Sequence, residues 1–443
     1  MTDATALAAA IAEGRVSTRD VMAASLARMR EVPGAVSRVL PDEEALALVE
    51  EAAPGPFSGV PFLVKDLGSL ARGLKQSAGS AAIAKRIEAS KADSSLIALF
   101  RAAGLVPFGL SAVPEVGLAL STEPEGQPPA TNSFDASRTP GGSSGGAAAA
   151  VASGIVAIAH ATDAAGSIRV PAACCGLWGL KPSRGVSPMG PDYNNWLMGI
   201  ASELVLARSL RDVRTALACV AKTDVPLAPR VAVIIPETCD DSQRAATLGA
   251  AQALEAAGYT VTDGPPSSPN PEYISRPMSV IRTILCAALH EGLTATGVPD
   301  EELPPLIRAA RQEGEALTGV EVFGASRSLM ELRDNILEFF GETDALLMPV
   351  LSGPPPKLGA FPMDYADLDA HFLKMESLAP NAAWANVAGL PALAFPAGFD
   401  DGLPVGAQLI GRPNSDTALL DMAAPLAHLV DIPFPQTIAG MPI

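Results

Sequence analysis

The chain has 443 residues, 48% of them apolar and 18% charged, with Ala and Gly abundant and aromatic residues at 5%. That is enough to bury a large core, and it excludes a disordered or fibrous chain. The net charge of −17, with 48 acidic residues against 31 basic ones and no Lys/Arg block, excludes the electrostatic footprint of a nucleic-acid binder.

Residues 3–14 and 17–31 predict two amphipathic helices, the second opened by Ser17-Thr18 with Asp20 in its first turn. Ala53-Pro-Gly-Pro56 is a turn into the apolar strand Val60–Val64, which stops at Lys65-Asp66. A helix over 93–103 and a strand over Leu105–Phe108 follow, then a Pro/Glu-rich loop over 121–140. Gly145–Ser153 predicts a helix, Ile155–Ala159 a buried strand, and Thr162–Ser167 a second turn. Short strands and helices alternate to about residue 236. Residues 243–258 predict a helix, 265–271 a loop, and 273–340 a helical segment. Strands at Ala345–Pro349, Ala392–Phe395 and Val405–Ile410 and a helix over 416–429 close the chain.

The most apolar window, 145–161, is too short and too rich in Ala and Gly for a membrane span, and the N-terminus carries no signal-peptide pattern. Five cysteines (Cys174, Cys175, Cys219, Cys239 and Cys286) form no C-x-x-C and fit reduced thiols of a cytoplasmic protein. The four histidines show no metal-ligand spacing, so no metal is expected.

Two serines, Ser143 and Ser167, stand in glycine-lined turns separated by an Ala/Val run. A tight Gly turn exposes a hydroxyl while leaving backbone N–H groups free to hold an oxyanion. Gly142-Ser-Ser-Gly-Gly146 formally matches a G-x-S-x-G elbow centred on Ser144, but an elbow needs a strand directly before it. The preceding Asn132–Pro140 stretch is loop-like, so the elbow is rejected. Two readings of Lys65 stand: the solvated end of a strand, or a desolvated base. Bringing its pKa from about 10.4 to near 7–8 takes on the order of 4 kcal/mol of destabilisation of the charged form.

Gly59-Val-Pro-Phe-Leu-Val-Lys-Asp66, Thr139-Pro-Gly-Gly-Ser-Ser-Gly-Gly146 and Thr162-Asp-Ala-Ala-Gly-Ser-Ile-Arg-Val-Pro-Ala172 together resemble the amidase signature family. Cys175–Pro182, Gly389–Ala392 and Gly402–Gly411 extend the likeness over nearly the whole chain, most weakly between about 215 and 340. The resemblance implies an α/β fold, a large mixed twisted β-sheet sandwiched between α-helices, in one domain. Residues 1–55 would give N-terminal helices, 56–236 the catalytic core, 237–340 a variable helical segment, and 341–443 the strands and helix that complete the core. It implies hydrolysis of a small carboxamide without cofactor. Ser167 would be the nucleophile, Ser143 a bridging serine after a cis peptide bond, and Lys65 the neutral base that starts the proton relay. The backbone N–H groups of Ala164, Ala165, Gly166 and Ser167 would form the oxyanion hole.

Around these, Ser144 is expected to support the Ser143–Lys65 hydrogen bonds, and Asp163 and Arg169 to pin the nucleophile turn by an ion pair. Ala165 stands where the commoner family turn has Gly, which is tolerable only at negative φ. Gly109-Leu-Ser-Ala112 departs from the family run and is expected to alter the pocket wall. Tyr193, Asn194, Asn195 and Trp196 are candidate pocket lining, with Trp384 from the C-terminal half; core packing is an equal reading of Trp196. Partners are a small amide and, at family level, a second copy in a homodimer, with neither nucleic acid nor membrane. The competing functions are the glutaminase component of a tRNA-dependent amidotransferase, which needs a partner protein, and a catalytically silent binding paralogue.

Overall fold

The computed structural model describes residues 2–191, 197–223, 225–264 and 271–442, the side chains of 271–275 excepted. Among them, eleven strands form one mixed sheet: β1 (Val36–Val39), β2 (Val60–Lys65), β3 (Leu105–Ser111), β4 (Ile158–Asp163), β5 (Trp178–Lys181), β6 (Ser202–Ala207), β7 (Arg230–Val233), β8 (Thr260–Asp263), β9 (Ala345–Pro349), β10 (Ala392–Asp400) and β11 (Leu403–Gly411). Their order across the sheet is β1-β3-β2-β4-β6-β5-β10-β11-β9-β7-β8. β2 runs parallel to both β3 and β4, whereas β4, β6, β5, β10, β11 and β9 pair antiparallel in turn. Helices cover both faces, so the central strands are apolar on both sides. Within β2, Leu63 joins one hydrophobic cluster while Phe62 and Val64 join the other.

Predicted and observed elements diverge where an apolar run ends a helix instead of starting a strand. Ile155 and Val156 donate their N–H groups back to Ala150 O, at 2.9 and 3.4 Å, around Gly154 at φ +75°. The strand therefore begins at Ile158, three residues late, and carries on to Asp163. The segment 273–340 is three helices, Pro271–Ala295, Pro305–Ala316 and Gly319–Phe339, the last opened by a Thr318/Glu321 capping box. The terminal helix stops at Met422 and continues as a 3-10 turn over Ala424–His428, since Pro425 lacks the N–H a longer helix would need. Of the loop expected over 265–271, residues 265–270 lie outside the described residues, and Pro271 already begins a helix.

The helix Gly145–Ala152 has no side chain larger than Val151 and is buried all round. Small side chains let its backbone lie against the end of β3: Gly146 N–H donates to Ala112 O at 3.1 Å. A Cβ on Gly146 would lie 2.3 Å from Ala112 N and 2.6 Å from Ala35 O, both backbone atoms. We expect Gly146→Ala to lower stability by at least about 1–3 kcal/mol. Gly249→Ala, in the helix Asp241–Ala256 with nothing within 4 Å of the new methyl, should be neutral or stabilising by up to about 1 kcal/mol. Chemical denaturation of the two variants checks this; equal effects would refute the close-approach account.

Candidate active site

β2 delivers Lys65 into the interior at zero exposure. Its Nζ lies 2.8 Å from Ser143 Oγ and 2.7 Å from Thr162 Oγ1 at the end of β4. Burial lowers its pKa to about 7, while the negative charges of Asp163 and Glu203 act in the opposite direction. Lys65 is thus the desolvated lysine of the two readings.

Ser143 follows a cis Gly142–Ser143 peptide bond. Ser144 Oγ does not reach the Ser143–Lys65 pair; it accepts from Thr162 N at 3.4 Å and donates to Thr162 O at 3.3 Å. It therefore ties the serine turn to the residue that holds Lys65 Nζ. Sequence reasoning passed over Thr162, whose only signal was its place at the head of the second motif.

The turn that carries Ser167 is organised by Asp163. Its carboxylate accepts N–H bonds from Gly166 at 2.8 Å and Ile168 at 3.2 Å. Arg169 meets it in a fork, Nε at 2.9 Å and Nη2 at 3.0 Å, with both residues fully buried. Arg169 also donates to Gln408 Oε1, Ala382 O and Asn386 Oδ1, and Asn386 donates back to Asp163. Burial alone would push the Asp163 carboxyl up, but Arg169 and Asn386 outweigh it and hold the group well below the usual carboxylate range.

One expected oxyanion donor is already engaged: the Gly166 N–H is spent on Asp163. Among the described residues, Ala164, Ala165 and Ser167 show no acceptor for their N–H groups. Gly166 sits at φ +111°, while Ala165 does not take a positive φ, so the turn needs glycine only at 166.

Ser143, Thr162, Ala164, Ala165 and Ser167 line one cavity of about 40 Å³, closed by Leu197, Leu285, Leu289 and Met375. A larger open depression of about 520 Å³, near Tyr259 and Asp421, contains none of these groups. Trp384 is absent from the described cavity wall and packs edge-on against Phe339 at 5.6 Å, so its size serves the core. Gly109, Leu110 and Ser111 lie in β3, and none of them forms part of that wall. Tyr193, Asn194, Asn195 and Trp196 lie outside the described residues. Leu285 and Leu289, one turn apart on the helix Pro271–Ala295, escaped sequence reasoning because their spacing reads equally as core.

The Amidase family model matches residues 38–420. The chain belongs to the amidase signature family. It is 30% identical to a 6-aminohexanoate-cyclic-dimer hydrolase of Paenarthrobacter ureafaciens over 96% of this chain and 94% of that protein. It is 33% identical to a putative amidase of Mycobacterium tuberculosis over 95% of this chain and 93% of that one. The solved structure of a 6-aminohexanoate cyclic dimer hydrolase complexed with substrate superposes with TM-score 0.88 at 28% identity, covering 98% of this chain and 99% of that one. As an amidase signature protein the chain is a hydrolase of amide C–N bonds.

Among the described residues no group of three His, Cys, Asp or Glu could hold a metal ion, and no helix is long and apolar enough to cross a membrane. The turn's dependence on Arg169 is testable in this amidase. Arg169→Leu leaves the Asp163 carboxylate buried without its fork and should cost on the order of 3–5 kcal/mol in urea unfolding. A loss below about 1 kcal/mol would show that the pair does not hold the turn.

Proposed function

We propose that this amidase cleaves a small neutral carboxamide through an acyl-enzyme on Ser167, with Ser143 and Lys65 as its proton relay. The observation that carries this reading is the buried Lys65 Nζ hydrogen-bonded to Ser143 Oγ, in a cavity wall shared with Ser167. Thr162 Oγ1 accepts one N–H of Nζ, which leaves the lone pair of the neutral amine for the Ser143 proton. As Ser167 Oγ attacks the carbonyl carbon, its proton passes to Ser143 Oγ and the Ser143 proton to Lys65. The negative oxygen lies against the N–H groups of Ala164, Ala165 and Ser167. Collapse breaks the C–N bond as the relay runs backward and delivers the proton to the leaving amine; water then hydrolyses the ester.

The wall of Leu197, Leu285, Leu289 and Met375 carries no charge and suits an aliphatic acyl group. The likeness to 6-aminohexanoate-cyclic-dimer hydrolases, which act on an aliphatic amide, supports the same class. Glutamine, whose α-amino and carboxylate groups need charged partners, fits this wall poorly, and the glutaminase reading ranks second for that reason. Five free cysteines, four of them buried, support a reducing, cytoplasmic setting.

An alkyl fluorophosphonate should label Ser167, as read by peptide mass spectrometry, and Lys65→Ala should abolish the adduct. Labelling should rise with pH through about 7, because protonated Lys65 has no lone pair to accept the proton. An adduct on Ser144, or a Lys65→Ala protein labelled at the wild-type rate, would overturn the relay. Among amides, hexanamide should exceed acetamide in kcat/KM by up to about fourfold per added methylene and should also exceed glutamine. A preference for glutamine would instead select the amidotransferase reading.

A further inference from the structure

The relay lysine is held by its backbone as well as by its amine. Lys65 N–H donates to His160 Nδ1 at 3.2 Å, and Lys65 C=O accepts from Gln76 Nε2 at 2.7 Å. Gln76 Nε2 also reaches Ser69 O at 3.3 Å. Ser69 in turn gives both of its donors to Glu203, its N–H at 3.0 Å to Oε1 and its hydroxyl to Oε2. His160 Nε2 lies 3.5 Å from Glu203 Oε2, within ion-pair reach though not aligned as a hydrogen bond. The two arms of this bracket therefore start on opposite sides of the Lys65 backbone and meet at one carboxylate.

The bracket is built tightly. Lys65, Ser69, His160 and Glu203 are all fully buried. Gly68, at φ +106°, could not carry a side chain, since its Cβ would lie 2.1 Å from Glu203 Oε1 and 2.7 Å from Thr162 Cγ2. With Nδ1 accepting from Lys65 N–H, the ring N–H of His160 is on Nε2, facing Glu203. The charged and titratable groups facing Lys65 are His160 and Asp163 of β4 and Glu203 of β6. Asp66, next in the chain, turns its carboxylate instead to Ser77 and Gly79.

We propose that His160, Glu203, Ser69 and Gln76 form a positioning bracket for the relay lysine. It fixes the Lys65 backbone so that Nζ meets Ser143 and Thr162, and it sets one buried negative charge beside the amine. Cost and benefit oppose each other here: a carboxylate near Lys65 favours the ammonium form, which cannot accept a proton, yet it anchors the segment that aims the amine. This inference rests on the Ser167/Ser143/Lys65 reading, and its test separates the two.

The measurement is the rate of Ser167 labelling by an alkyl fluorophosphonate against pH, with the unfolding temperature of each variant. Glu203→Gln keeps the size and an acceptor for Ser69 but removes the charge. Its acid limb should move to lower pH by on the order of one unit, a shift that a purely structural role would not produce. His160→Leu removes the acceptor for Lys65 N–H and should slow labelling at the plateau about tenfold. His160→Asn, whose Oδ1 can take the place of Nδ1, should restore most of that rate. A folded Glu203→Gln with an unmoved acid limb would overturn the bracket. So would His160→Leu labelling at the wild-type rate, and that pair decides the matter if Glu203→Gln does not fold. A wild-type protein with no acid limb, or Lys65→Ala labelled as fast as wild type, would overturn the relay and this inference with it.

Discussion

Everything in the site depends on a lysine kept away from water. At the end of β2 the Lys65 ammonium would forfeit its hydration, and that penalty brings its pKa to about 7. An exposed lysine would stay charged at neutral pH and could only donate. A strand buried on both faces carries the amine inward, to a place where Ser143 and Thr162 hydroxyls supply the partners that water no longer can, and the proposed relay draws its base from that burial. The small-residue helix Gly145–Ala152 follows from the same requirement, since it packs the serine turn against the sheet without admitting solvent.

A second charge balance runs beside the first. Asp163 lies close enough to raise the pKa of Lys65, yet it stays ionised because Arg169 takes both of its oxygens. Its remaining bonding capacity goes to Asn386 and to backbone N–H groups of the turn that carries Ser167, including that of Gly166. One carboxylate thus shapes the turn and takes up the Gly166 N–H, one of the four expected oxyanion donors. Lys181 is also fully buried and lowered by burial to about 7, but its Nζ donates to Pro182 O and Ser202 Oγ and makes no bond to Ser143. Two lysines with the same depressed pKa therefore differ in what their amines touch, and Lys65 is the one that meets the serine of the proposed relay.

The sequence shows the chemistry more plainly than the frame around it. Lys65, Ser143 and Ser167 stood in the motifs that carried the family likeness. The two strands that went unpredicted, β1 and β8, are the edges of the sheet. Each has four residues and β8 is largely exposed, so neither shows an apolar alternation. Thr162 and Glu203 were invisible for another reason: they sit opposite each other on β4 and β6, and that register exists only once the strands pair. The engagement of the Gly166 N–H was equally hidden, because it depends on where the Asp163 carboxylate turns.

The apolar side of the cavity is held by different physics from the Lys65–Ser143–Thr162 cluster. Lys65 and Thr162 lie at the ends of paired strands and Ser143 and Ser167 in turns packed against them, whereas Leu285 and Leu289 come from a helix in the segment where the family likeness is weakest. That helix is fixed by charge: Arg282, one turn before Leu285, forks onto Glu313 of the Pro305–Ala316 helix and reaches Asp369 of the Leu368–Leu378 helix. The last of these also carries Met375, and its His371 bonds Leu118 O at 2.7 Å and Tyr365 OH at 2.9 Å. Side chains on the wall can therefore change size without touching any bond that holds Lys65, Ser143 or Ser167. Because the helical side of the cavity and the Lys65–Ser143–Thr162 cluster share no hydrogen bonds among the described residues, the acyl-chain preference proposed for this site can change while the proposed proton path stays fixed.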